Sequence, residues 1–113
     1  MADVFENPIG LDGFEFLEFT APKKGLLEPM FEAMGFTLVA KHKSKEVELW
    51  RQGDINLLSN YEKNCHASYY AEEHGPSACG MAFRVKDSQH AYSEVLKRGA
   101  QPMDTHTGTM ELK

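Results

Sequence analysis

"HGPSACGMAFRVKD", His74 to Asp87, is the stretch whose reading decides the fold. Its His74 and Cys79 invite a metal-site reading, while Gly-Pro before an apolar run reads as a turn feeding a strand. The residues on either side favour the turn. Ala67 to Glu73 has the composition of a short helix, Gly75 is its stop signal and Pro76 lies just beyond. A histidine in the last turn of a helix suits the helix dipole. "CGMAFRVK", Cys79 to Lys86, then reads as a strand. Asp87 is a plausible N-cap for a helix over "SQHAYSEVLKR", with Ala91, Tyr92, Val95 and Leu96 as its apolar stripe and Gly99 as its stop. "AQPMDTH", ending at His106, reads as a short extended piece.

Upstream, "GFEFLEF", Gly13 to Phe19, is an aromatic-rich strand. Phe14, Phe16 and Glu18 share one face, and Glu15, Leu17 and Phe19 the other. Each face carries apolar bulk and a carboxylate, so the strand is expected to be buried on both sides. Leu27, Met30, Phe31 and Met34 fall at helical spacing. Pro29 then belongs in the first turn, where its missing N–H costs little, and Gly35 ends the helix. Phe36 to His42 reads as extended. "VELWRQGDINLLSN" reads as two strands joined by a tight turn at Gln52-Gly53-Asp54, followed by a polar connector from Tyr61 to Asn64.

The two halves repeat each other. Strand, loop, helix, Gly, strand runs from Phe14 to His42 and again from Met81 to His106, a spacing of roughly 65 residues. The first copy continues for two more strands. The second reaches "GTMELK", where Met110 to Lys113 would open a strand. The expected architecture is an α+β domain over 1–113: a first βαβββ module over about 12–60, a connector and short helix over 61–77, and an incomplete second module over 78–113. The module is completed either by more chain or by another subunit, and its open sheet edges are expected to recruit partners.

Composition narrows the function. At 113 residues the chain builds one core. A net charge of −5, with "KHKSK" as the one basic run, argues against a nucleic-acid partner. No apolar run approaches the ~20 residues of a membrane span, so no membrane partner is expected. The acidic N-terminus does not read as a secretory signal, which makes the cytoplasm the default location. Cys65 and Cys79 are then expected to be reduced and structural.

Tandem βαβββ modules resemble the vicinal oxygen chelate superfamily, which holds glyoxalase I and extradiol dioxygenases. The likeness narrows further. "GFEFLEF", "MGFTLVAKHKSKEVELWRQGDINLLSN", "EEHGPSACGMAFRVKDSQHAY" and "GAQPMDTHTGTMELK" resemble the amino-terminal domain of bacterial 4-hydroxyphenylpyruvate dioxygenases, from about Asn7 to Lys113. The resemblance implies a longer two-domain enzyme that uses Fe(II) and O2 to turn 4-hydroxyphenylpyruvate into homogentisate and CO2 in tyrosine breakdown. It implies iron on two His and one Glu of a carboxy-terminal catalytic domain, and structural and oligomeric roles for the amino-terminal one. A homo-oligomer is expected.

Mapped onto the iron-bearing domain, Glu15 falls near the first ligand position and Gly80 at the second, while the strand for the third lies beyond Lys113. One carboxylate and no imidazole make no triad, so no catalytic, cofactor-binding or metal-ligating residue is expected in this chain. His42, His66, His74, His90 and His106 show no compact ligand spacing and read as surface and helix-end residues. Glu15, on an apolar strand, needs a partner such as Arg84; the alternatives are a vestigial ligand or a small-molecule pocket. Cys79 reads as a buried thiol rather than a nucleophile, and Trp50, Tyr69 and Tyr70 as core or interface residues rather than stacking platforms. The rival functions are a stand-alone small-molecule-binding module and a glyoxalase-type dimer of the same superfamily.

Overall fold

A computed structural model describes residues 6–103 of the chain. The elements are β1 (Leu11–Thr20), α1 (Glu28–Ala33), β2 (Thr37–Lys41), β3 (Val47–Gln52), β4 (Ile55–Asn60), α2 (His66–His74), β5 (Ser77–Val85) and α3 (Ser88–Lys97). The strands form one mixed sheet in the order β2-β3-β4-β1-β5. The fold is α+β, and β1-α1-β2-β3-β4 is a complete βαβββ module. Of the extended piece expected up to His106, residues 100–103 are described and are in neither helix nor strand; its remainder and the strand expected at Met110 lie outside the described residues.

The described chain divides into two compact units, residues 14–82 and residues 6–13 with 83–103, so the division cuts both β1 and β5. In the larger unit, β1 runs parallel to β4, while β3 pairs antiparallel with both β2 and β4. Opposed residues share a face, so the register sorts the side chains. Glu48 faces Ser59, Trp50 faces Leu57, and Leu17 and Phe19 lie beside Leu57 and Ser59. This is the face that α1 covers. Phe31 of α1 is fully buried there, in a cluster with Ala21, Leu27, Trp50 and Leu57. Its ring meets Phe19 and Trp50 edge-on at centroid distances of 5.5 and 5.7 Å, a favoured aromatic geometry. Trp50 is thus a core residue.

Local chemistry explains the ends of α1. Pro29 sits in its first turn, and Glu28 Oε2 accepts from the Gly25 N–H at 3.0 Å. Gly35 then takes φ +93°, a left-handed conformation that only glycine adopts at little cost. Gly53, at φ +57°, with Asp54 makes the two-residue turn between β3 and β4.

β1 departs from the expectation of burial on both sides. Phe14 is 59% exposed, and burial begins only further along the strand. Its pairing with β4 is registered from Leu17 onward, so the first half of the strand outruns its neighbour on that side. β2, at the sheet edge, is exposed throughout, and its register slips between Leu38 and Ala40. An irregular edge strand followed by "KHKSK" is poorly suited to pairing with another chain.

In the smaller unit, an Asn7–Leu11 turn closes on itself. Asn7 Oδ1 accepts from the Leu11 N–H at 2.9 Å, and Asn7 Nδ2 donates to the Leu11 carbonyl at 3.0 Å. The Lys86 N–H donates to the Gly10 carbonyl at 3.0 Å, and His90 Nε2 to the Pro8 carbonyl at 2.8 Å. Asp87 caps α3 as its sequence position predicts, accepting from the His90 N–H at 3.1 Å. The apolar stripe of α3 is narrower than its sequence suggests: Ala91 is buried, but Tyr92 and Leu96 are exposed.

Candidate functional site

The sheet face opposite α1 carries Phe14, Phe16, Glu18 and Thr20 of β1, by the two-residue period of the strand. Thr20 Oγ1 donates to the Ala67 carbonyl at 3.0 Å and ties β1 to the start of α2. Asn60 Nδ2 donates to Glu18 Oε2 at 2.7 Å. A Cβ added at Gly80 would lie 2.9 Å from Glu18 Oε1, so the glycine leaves the space that the carboxylate fills. The carboxylate beside Gly80 is therefore Glu18, not Glu15 as the mapped positions suggest. Glu15 lies an odd number of residues away along β1, which turns its side chain to the other face. Burial first, and then the charges of Glu18 and Cys65, push the Cys79 thiol up to about 12. Both cysteines are free, and Cys79 is held as a protonated thiol at neutral pH, a poor nucleophile.

An iron centre of the resembled kind needs two imidazoles and a carboxylate on open positions. Here the carboxylate is engaged by an amide, the adjacent strand position is a glycine, and the nearby sulfur keeps its proton. These residues do not fit Fe(II). Among the described residues no three His, Cys, Asp or Glu side chains converge as a metal site. The histidines are placed apart. His42 Nδ1 accepts from the Ser44 and Lys45 N–H groups at 3.1 and 3.0 Å and shapes the β2–β3 loop. His66 and His74 lie at the two ends of α2 with Tyr70 between them, at ring distances of 5.9 and 4.3 Å. His90 holds the N-terminal turn, and His106 lies outside the described residues.

Among the described residues, clefts of different size open in the larger unit. The larger, about 830 Å³, is lined by the β1–α1 loop, the Tyr61–Asn64 connector and α2, Tyr69 included. On its rim Lys24 Nζ lies 3.3 Å from Glu46 Oε2 and 3.6 Å from Glu48 Oε1, and these contacts raise the Lys24 ammonium above its ordinary value. Tyr61 Oη accepts from the Leu27 N–H at 3.2 Å and donates to Glu28 Oε2 at 2.9 Å. Burial first, with the Glu28 carboxylate adding to it, pushes the phenol up to about 12. The smaller cleft, about 320 Å³, lies where β1 and β4 part and is lined by Phe14 to Leu17 and Asp54 to Asn56. Sequence reasoning singled out Glu15, which lines it, and missed Glu18, Asn60 and Tyr61, whose signal is only a polar residue inside or just after an apolar strand.

Known proteins give this geometry a lineage. A family model described as "Hydroxyphenylpyruvate dioxygenase, HPPD, N-terminal" matches residues 5–113. The chain is 62% identical over 111 residues to a 4-hydroxyphenylpyruvate dioxygenase of a Pseudomonas species, covering 98% of this chain and 31% of that protein. It is 50% identical over 109 residues to the 4-hydroxyphenylpyruvate dioxygenase of Pseudomonas aeruginosa, and again spans 30% of its length. Among solved structures, a xylose isomerase-like TIM barrel/4-hydroxyphenylpyruvate dioxygenase fusion protein superposes with a TM-score of 0.75 at 41% identity, over 87% of this chain and 16% of that one. Methylmalonyl-CoA epimerase from Mycobacterium tuberculosis, at 14% identity and a TM-score of 0.63 over 81% of this chain and 67% of its own, shares the fold alone. The chain belongs to the family of hydroxyphenylpyruvate dioxygenase amino-terminal domains.

Proposed function

We propose that this chain serves as the amino-terminal, non-metal-binding domain of a 4-hydroxyphenylpyruvate dioxygenase. The observation that carries the reading is the 62% identity over almost the whole chain to an enzyme of that name, of which the chain spans 31%. In this reading a carboxy-terminal domain holds the Fe(II) and performs the cytoplasmic, tyrosine-degrading chemistry. This domain packs against it and supports a homo-oligomer. Its own part is structural: Glu18, Asn60 and Gly80 fill, with a carboxylate–amide pair, the sheet face where ligands would stand.

A second reading has a specific observation behind it. The chain is 41% identical over 102 residues to a 3-dehydroshikimate dehydratase of Pseudomonas putida, of which it spans 16%. The same kind of domain therefore accompanies a different activity, and the higher identity favours the dioxygenase.

The test is oxygen uptake by the purified chain with Fe(II), ascorbate and 4-hydroxyphenylpyruvate. Uptake no faster than the iron-only control is expected. Homogentisate formed in proportion to protein would show that the chain is catalytic by itself and would overturn the reading.

A further inference from the structure

We infer that the cleft between the parting ends of β1 and β4 is a binding site for small arylalkyl-ammonium compounds. The cleft holds about 320 Å³, at the lower end of the ligand-pocket range and enough for one ring with a short arm. Phe14, Phe16 and Leu17 line it from β1 and Ile55 from β4. Phe14 is 59% and Ile55 57% exposed, so apolar surface is left in water for a ring to cover.

The polar groups decide which ring. Asn56 joins the strands where their ladder ends. Its Nδ2 donates to the Glu15 carbonyl at 3.1 Å, and its Oδ1 accepts from Arg51 Nε at 2.8 Å. Both ends of the amide are thus engaged. Two carboxylates line the cleft, Asp54 in the β3–β4 turn and Glu15 of β1, and an ionised carboxylate can only accept hydrogen bonds. An ammonium matches an acidic lining, and an aromatic face such as that of Phe16 attracts a cation more than a neutral group. The chain's net charge of −5 works in the same direction. Arg51 carries an opposing charge, and it is tied to Asn56 from the β3 side. The site is independent of the Glu18–Asn60 pair and of any iron.

The experiment is an NMR titration of the 113-residue chain with benzylammonium, benzyl alcohol and phenylacetate, each alone. Benzylammonium is expected to shift the amides of Phe14 to Leu17 and Asp54 to Asn56 saturably, more tightly than the other two. Asp54→Asn keeps a residue suited to the turn. It should weaken benzylammonium about five-fold, as expected for an exposed charge pair, and leave benzyl alcohol unchanged. Tighter binding of phenylacetate would make Arg51 the recognition group and overturn the proposal. So would the absence of a saturable shift at these residues up to about 20 mM, or indifference to Asp54→Asn.

Discussion

Glu18 and Gly80 explain each other. The carboxylate lies where a side chain at residue 80 would stand, and Asn60 holds it there at 2.7 Å. Gly80→Ala should therefore destabilise by about 1–2 kcal/mol, an overpacking cost. The cost should shrink in a Glu18→Ala background, because neighbouring changes are not additive. Chemical denaturation of the two single variants and the double variant measures this. Full additivity would mean that the two residues do not compete for the same space. Cys79 reports on the same carboxylate. In a Cys65→Ser background, which keeps a good helix cap, Glu18→Gln should speed alkylation of Cys79 several-fold at pH 9, because one charge that holds the proton on the thiol is gone. An unchanged rate would leave burial as the whole cause. This is also where the sequence was least legible. The alternation of β1 separates Glu15 from Glu18, but which of them meets Gly80 depends on how β1 lies beside β5, and a one-residue slip reverses the answer.

At the scale of elements, punctuation was the readable part. Pro29, Gly35, Gly53, Gly75, Asp87 and Gly99 each mark an end or a turn where the structure has one, because their backbone chemistry acts locally. Gly35→Ala should cost about 1–2 kcal/mol, the penalty of a side chain at φ +93°, and its thermal midpoint should fall accordingly. A cap made by cysteine was not readable. The Cys65 N–H donates to Ser68 Oγ at 3.0 Å and the thiol takes the usual place of a hydroxyl at the start of α2. The exposure of β2 was hidden for another reason: edge or centre is decided by sheet order, not by apolar content. Tyr61, in the connector after β4, links α1 to that end of the sheet and should be visible in alkali. The folded phenol holds its proton more tightly than the unfolded one, up to about 12 against 10.0. Its contribution is therefore complete below pH 10 and is lost as the pH rises toward 12. Discounted for the solvent at this half-buried ring, it is on the order of 1 kcal/mol. Tyr61→Phe should flatten the stability curve between pH 9 and 11.5, and an unchanged slope would remove Tyr61 as its source.

For the whole molecule, the repeat of module order pointed to the fold, and the family match agrees with it. Composition alone could not go further, because a charge of −5 and one ordinary core suit many functions. Among the described residues, β5 ends a sheet whose other edge, β2, is irregular and basic. Self-association that grows with concentration is expected in sedimentation, and a monomer at high concentration would contradict it. The proposed role of this chain is that of a supporting domain of a dioxygenase. Its most direct test is a chimera in which the chain replaces the 111 matching residues of the Pseudomonas enzyme, with homogentisate formation as the readout. A folded chimera is expected to turn over within about ten-fold of the parent, a loss of no more than about 1.4 kcal/mol in transition-state stabilisation. A chimera that folds, binds iron at the carboxy-terminal site and makes no homogentisate would contradict it.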